Sequence, residues 1–134
     1  MKVVVHVDGG SRGNPGPAAA GAVVSTPEGD VIDEATEFLG RTTNNVAEYR
    51  GLLLGLERAR LLGATEIEIY NDSELVAHQI NGRYKVKHPD MKPLYLEAMQ
   101  RLREFGRWRV RSVPRAQNAA ADALVNQALD AERP

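Results

Sequence analysis

The sequence predicts one α/β domain, a mixed sheet flanked by helices, and three observations carry that expectation. Runs of β-branched residues alternate with stretches whose apolar residues recur at helical spacing. Gly, Pro, Asn and Asp punctuate the boundaries between them. The resulting order is three strands, a helix, a strand, two helices, a strand and a helix, so the chain opens as an antiparallel meander and continues with strands separated by helices. At 134 residues it is long enough for one sizeable core and too short for two.

Each element has its own signal. Lys2 to Asp8 is a strand, and Gly9 to Pro17, dense in Gly and Pro, reads as a loop. Ala20 to Thr26 is a second strand, Pro27-Glu28-Gly29-Asp30 a turn, and Val31 to Leu39 a third strand. From Asn44 to Leu62, the apolar positions Leu52, Leu56, Ala59 and Leu62 repeat at helical spacing, and Gly63 supplies the stop. Thr65 to Tyr70 is a strand, Ser73 to Asn81 a short helix, Pro89 to Phe105 a longer one, Trp108 to Val113 the last strand and Asn118 to Ala131 the last helix. Residues 1–131 are expected to form the domain, and the tail 132–134 reads as the start of a linker.

Composition narrows the function classes. With 43% hydrophobic and 26% charged residues, this is the balance of a globular domain. No apolar run approaches the roughly 20 residues of a membrane span, and MKVVVHVD enters a strand without a signal-peptide pattern, so no membrane role and a cytoplasmic location are expected. The absence of Cys excludes disulfides, thiolate metal sites and a cysteine nucleophile. A net charge of −1 argues against coating nucleic acid by charge alone, so any such binding must rest on local patches.

Four acids stand where an ordinary acid would not. Asp8 and Asp72 close β-branched runs, while Glu48 and Asp122 interrupt the apolar stripes of helices. At about 100° per residue, Leu52 lies about 40° from Glu48, Ala59 about 20° and Leu62 about 40° on the other side, which puts Glu48 near the middle of the buried face. On the last helix Ala121, Leu124, Val125, Ala128 and Leu129 make the stripe, and Asp122 falls on its edge. If the first and fourth strands are parallel neighbours, Asp8 and Asp72 meet at the carboxyl edge where ligands bind. Carboxylates carried inward are costly unless a cation neutralises them, so four on separate elements point to one shared metal site. Taken alone, Asp72 before Ser73 also fits a turn former or helix cap. The Gly9–Gly16 segment is not a P-loop, since no Gly-Lys-Ser/Thr follows and it leads into a strand.

The motifs DGGSRGNPGP, RTTNNVAEYRGL, NDSELV and NAAAD, in that order over nearly the whole chain, resemble type 1 ribonuclease H. That resemblance implies a ribonuclease H-like fold, a five-stranded mixed sheet of order 3-2-1-4-5, and a cleft for an RNA/DNA hybrid. It also implies an endonuclease that hydrolyses the RNA strand to 5′-phosphate and 3′-hydroxyl ends, with Asp8, Glu48, Asp72 and Asp122 holding two divalent ions. A pair of ions about 3.5–4 Å apart would activate the attacking water and stabilise the departing 3′ oxygen. Oxygen-only ligands favour Mg²⁺, or Mn²⁺, over Zn²⁺. Asp8 is assigned as the bridging ligand, Asp72 and Glu48 to the water-activating and leaving-group sides, and Asp122 as the outer, more dispensable ligand. Without metal, at least one of these acids should titrate high.

By the same resemblance Asn14, Asn44 and Asn45, with backbone near Gly9, read the RNA 2′-hydroxyls, and Arg41 and Thr43 grip a phosphate of the DNA strand. Thr43 or Asn44 can equally cap a helix. Glu74 stands where relatives often carry Gln, exchanging a donor for a negative charge. Two departures matter. The basic helix and loop of many relatives is reduced to GRYKVKHPDMKP, where Arg83, Lys85, Lys87, His88, Lys92 and Tyr84 remain. The mobile histidine expected before the last helix is absent from VPRAQNAAAD, and Arg115 takes its place as a group that acts on phosphate charge. His6 is read as structural, and His78 and His88 as surface residues. A monomer is expected, and double-stranded RNA stays open as a second substrate. A non-catalytic duplex binder and a junction-resolving nuclease are the competing readings.

Overall fold

The computed structural model describes residues 1–132, so of the tail only Glu132 is described and residues 133–134 lie outside. Its elements are β1 (Lys2–Ser11), β2 (Gly16–Ser25), β3 (Val31–Thr42), α1 (Asn44–Leu61), β4 (Glu66–Asn71), α2 (Glu74–Ile80), α3 (Lys92–Leu102), β5 (Arg107–Ser112), a 3₁₀ turn at Arg115–Asn118, and α4 (Ala119–Ala131). They form one sheet of order β3-β2-β1-β4-β5. β1, β2 and β3 pair antiparallel, and β4 lies parallel to both β1 and β5. The five-stranded mixed sheet implied by the sequence motifs is therefore present.

Strand alternation sorts the core. Val3, Val5 and Val7 of β1 and Ile67 and Ile69 of β4 are buried on the face that receives α1 and α3. Leu52, Leu56 and Ala59 of α1 close on them, each large apolar side chain contributing about 1.5–3 kcal/mol by leaving water. Ala121, Leu124, Val125 and Leu129 of α4 are buried on the opposite side, against β1 and β2. Glycine sets how closely α1 approaches β1. A Cβ on Gly51 would collide with the Asp8 carbonyl, and one on Gly9 would collide with the Ala47 carbonyl. The two backbones thus touch at the position of the first acid.

Several boundaries differ from the sequence reading. β1 runs on through Gly9 and Gly10 to Ser11, and β2 begins at Gly16, so most of the expected Gly9–Pro17 loop is sheet. Cross-strand pairing of Gly9 with Ala20, Gly10 with Ala19 and Ser11 with Ala18 overrides the turn propensity of the glycines, and Arg12 N–H donates to the Pro17 carbonyl at 2.8 Å to close the hairpin. Asp8 therefore lies inside a strand and not at its end. Its neighbourhood is nonetheless an edge, because pairing with β4 stops at His6. β3 also continues to Thr42. Leu62 caps α1 from an exposed position instead of packing, α3 is shorter than Pro89–Phe105, and the residues before α4 form the 3₁₀ turn.

Candidate active site

The four acids arrive from four elements at one open pocket of about 460 Å³, whose walls include Asp8, Glu48, Asp72 and Asp122. A small recess behind it touches Asp8, Glu48 and Asp72 again. Asp8 is 8% exposed, carried in by the buried strand on which it sits. Burial, then the charges of Asp72 and Asp122, then a hydrogen bond with Asp122, push its carboxyl up to about 8. The Gly9 N–H opposes that rise. The expected high-titrating acid is thus Asp8.

Glu48 stands one turn into α1, half-buried between Ala47 and Tyr49. Burial raises its pKa, hydrogen bonds from Ser73 and Asn44 pull it down, and the Asp72 charge adds to the rise. The Asn44 amide donates to Glu48 Oε1 at 3.2 Å. Asp72 follows β4 directly, and the capping alternative for it fails: the α2 cap is Ser73, whose hydroxyl accepts from Val76 N–H at 3.2 Å. Asp122 lies in the first turn of α4 at the edge of its apolar stripe, with Asn126 Nδ2 at 3.4 Å and Arg115 at 3.6 Å.

These groups suit a hard cation. The donors are all carboxylate oxygens, and burial together with the charges of Asp72 and Asp122 pushes the Asp8 carboxyl up to about 8, a cost that a bound cation would offset. Among the described residues no three His, Asp or Glu side chains already stand at chelating distance. The four carboxylates ring the pocket, and Asp8 is hydrogen-bonded to Asp122 within it.

The other expected residues divide into two groups. Gly9, Asn44 and Arg115 line the acid pocket. Asn14, Arg41, Thr43 and Asn45 lie outside its wall, around the hairpin and the start of α1. Asn14 Oδ1 accepts from Asn44 N–H at 3.1 Å. Thr43 is the helix cap, its hydroxyl accepting from Val46 N–H at 3.3 Å. Arg41 and Asn45 are exposed, as is Glu74, which stands apart at the first position of α2. His6 stacks on Tyr70 with ring centroids 5.3 Å apart, and its pKa is lowered by burial, in keeping with a structural role. His88 is exposed, while His78 is half-buried against Tyr84.

Sequence reasoning missed residues that support the acids. Ser73, Ser11 and Asn118 belong to this set, as does Arg12, which lines the pocket and pairs with Asp130 at 2.8 Å. Asn118 is 1% exposed and donates to the Val7 carbonyl at 2.9 Å. An asparagine at the head of an apolar helix was the available signal, but it reads equally as a cap.

The family model described as "Reverse transcriptase-like" matches residues 6–128. The chain is 54% identical over 132 residues to a bifunctional protein of Mycobacterium tuberculosis, covering 98% of this chain and 36% of that protein. It therefore spans about a third of the length of these mycobacterial relatives. The solved N-terminal ribonuclease H domain from Mycobacterium tuberculosis superposes with a TM-score of 0.95 at 54% identity, covering 98% of this chain and 95% of that one. Ribonuclease H1 of Halobacterium salinarum gives a TM-score of 0.95 at 43% identity, covering 98% and 99%. A ribonuclease H1 designated LC11, solved in complex with RNA/DNA hybrid, gives 0.92 at 39% identity, covering 96% and 97%. With the fold, the strand order and the matched span in agreement, the chain belongs to the type 1 ribonuclease H family.

Proposed function

We propose that the chain is an endoribonuclease that hydrolyses the RNA strand of RNA/DNA hybrids to 5′-phosphate and 3′-hydroxyl ends. The observation that carries this reading is the convergence of Asp8, Glu48, Asp72 and Asp122 on one pocket, with Asp8 driven up to about 8 by burial and by the charges of Asp72 and Asp122. Ribonucleases H generally need a divalent metal. Here Asp8, Glu48, Asp72 and Asp122 would hold two Mg²⁺ ions, with Mn²⁺ an alternative, and the ions when bound would supply water activation and charge neutralisation at the phosphate.

The chain's own residues do the positioning. Asn44 orients Glu48 and, through its Oδ1, accepts from Ser11 N–H at 3.3 Å, so one side chain ties hairpin, helix and acid together. Asn14, Asn44 and Asn45 read 2′-hydroxyls from the hairpin and the α1 start, with the Gly9 backbone beside them, while Arg41 and Thr43 take the DNA phosphate. Arg115 holds a substrate phosphate at the pocket rim, and Glu74 faces the substrate from the start of α2. Residues 1–131 act as the catalytic domain, as a monomer in the cytoplasm. No described helix is long and apolar enough to cross a membrane.

Matched RNA/DNA, RNA/RNA and DNA/DNA duplexes incubated with Mg²⁺, Mn²⁺ or chelator test the reading. Cleavage of the hybrid's RNA strand, abolished by chelator, is expected. Hybrid binding with no metal-dependent cleavage would make the chain a binder, and cleavage of the DNA/DNA duplex in place of the hybrid would make it a DNA nuclease.

A further inference from the structure

β5 carries arginine at alternate positions, Arg107, Arg109 and Arg111. Alternation puts all three on one face of the sheet, about 6.6 Å apart. All are exposed, and among the described residues none has a carboxylate within ion-pair distance. The parallel register identifies that face: Arg107 stands beside Glu66, Arg109 beside Glu68, Arg111 beside Tyr70, and Tyr70 beside His6. Asp8 is two positions beyond His6 on β1, so the arginine row and the first acid share a face. α4 packs over β1, β2 and β3, and the β4–β5 half of the face lies open beside it.

The two glutamates do not cancel the row. Lys2 lies 3.4 Å from Glu66 and 3.1 Å from Glu68, and the Arg109 charge also acts on Glu68, so Lys2 and the three arginines stand against only these two carboxylates. What remains is a local excess of positive charge in a chain whose net charge is −1. At its inner end the half-buried Tyr70 and His6 rings stack. Beyond Arg111 the chain leads within four residues to Arg115 at the rim of the acid pocket. The row therefore runs from the outer edge of the sheet toward the site.

Evenly spaced guanidinium groups beside an aromatic platform are the chemistry that holds a single nucleic-acid strand, phosphates on the cations and a base on the ring. A file one residue wide engages one backbone, not the two of a duplex. We infer that Arg107, Arg109 and Arg111, with Tyr70 at their inner end, bind the single-stranded overhang of a hybrid seated in the acid pocket. From Arg107 to Arg111 is about 13 Å, room for roughly two to three nucleotides. This inference rests on the hybrid-nuclease reading above.

Fluorescence anisotropy in an Asp8→Asn background tests it, using one hybrid in blunt form and with a short RNA or DNA overhang at either end. At least one overhang is expected to tighten binding about 3- to 10-fold and to steepen the salt dependence by about 2, the signature of three phosphate contacts on a single strand. The RNA and DNA arms decide which strand the row follows. Replacing all three arginines by Gln should make blunt and overhung hybrids bind alike, Arg109→Gln alone should remove part of the difference, and three Lys replacements should restore part. Equal affinity for blunt and overhung hybrids in the parent would overturn the inference. So would an advantage that survives the triple Gln change, or tighter binding of a polyglutamate peptide than of the strand, which would mark a dock for an acidic protein. The activity reading fails separately: if the unaltered protein does not cut the blunt hybrid but the overhang preference persists, the strand site stands and the nuclease does not.

Discussion

Asn118 donates to the Val7 carbonyl at 2.9 Å and thereby pins the head of α4 to β1 one residue before Asp8. Asp122 is one helical turn further along α4, so this bond sets the separation of two of the four acids. It is buried, and it ties positions 111 residues apart in sequence.

Asn118→Ala should therefore cost both stability and activity. Leaving the Val7 carbonyl without its partner is expected to lower stability by about 1–3 kcal/mol. Urea denaturation followed by circular dichroism would measure it. Because α4 would then sit less firmly, cleavage should need more Mg²⁺ to reach half-maximal rate, a shift that a purely global loss of stability would not produce at temperatures well below unfolding.

Asp8→Asn and Glu48→Gln should each abolish metal-dependent cleavage and leave the metal-free fold intact or more stable. The sign follows from linkage. Asp8 titrates near 8 in the folded protein against an ordinary 3.8, so between those values the folded state holds the proton more tightly than the unfolded chain. The stability this confers is full below about 3.8 and is lost as pH rises toward about 8. Thermal melts in chelator should fall from acid toward pH 8 in the unaltered protein, and Asp8→Asn should flatten that fall, gaining on the order of 1–3 kcal/mol at the alkaline end. Asp122→Asn, at the half-exposed edge of the helix, should do less harm to cleavage. Unaltered turnover by Asp8→Asn in Mg²⁺ would sink the metal assignment.

The sequence showed the acids and the fold for the same reason: each rests on a strong local period. The stripe on α4 placed Asp122 at its edge, and the buried face of α1 has Glu48 at its centre, both as the structure has them. What stayed hidden depends on pairing between distant segments. Gly9 to Ser11 have turn composition, and only the register with Ala18 to Ala20 makes them strand. Likewise the choice of Ser73 over Asp72 as the α2 cap is settled by backbone direction at the end of β4, which no residue type specifies. The arginine row was visible as RWRVR, but its meaning depends on the neighbouring strand and on which face α4 leaves uncovered.

Binding of a blunt hybrid should depend only weakly on salt. Few cations are placed to meet a duplex: Arg12 and Arg115 line the pocket, Arg12 already pairs with Asp130, and Arg41 and Lys85 are exposed outside the pocket wall. Anisotropy titrations across a range of KCl should give a slope of about 2–4 released counterions, and a value of roughly eight or more would contradict this.

Arg115 decides how the loop before α4 works without a histidine. Its guanidinium is exposed and lies 3.6 Å from Asp122, poised between the acids and the solvent where a phosphate would enter. Arginine keeps its charge throughout the neutral range, so it acts on phosphate and not by proton transfer. Arg115→Ala should lower turnover several-fold, Arg115→Lys should recover part of the loss, and Arg115→His should bring no special gain at neutral pH. Cleavage of one hybrid by these variants between about pH 6 and 9, spanning the reference histidine range, tests the assignment. Unchanged rates in all three would make Arg115 a solvated surface residue. A histidine variant much faster than the parent, with a new titration near pH 6.5, would show that the loop still serves proton transfer.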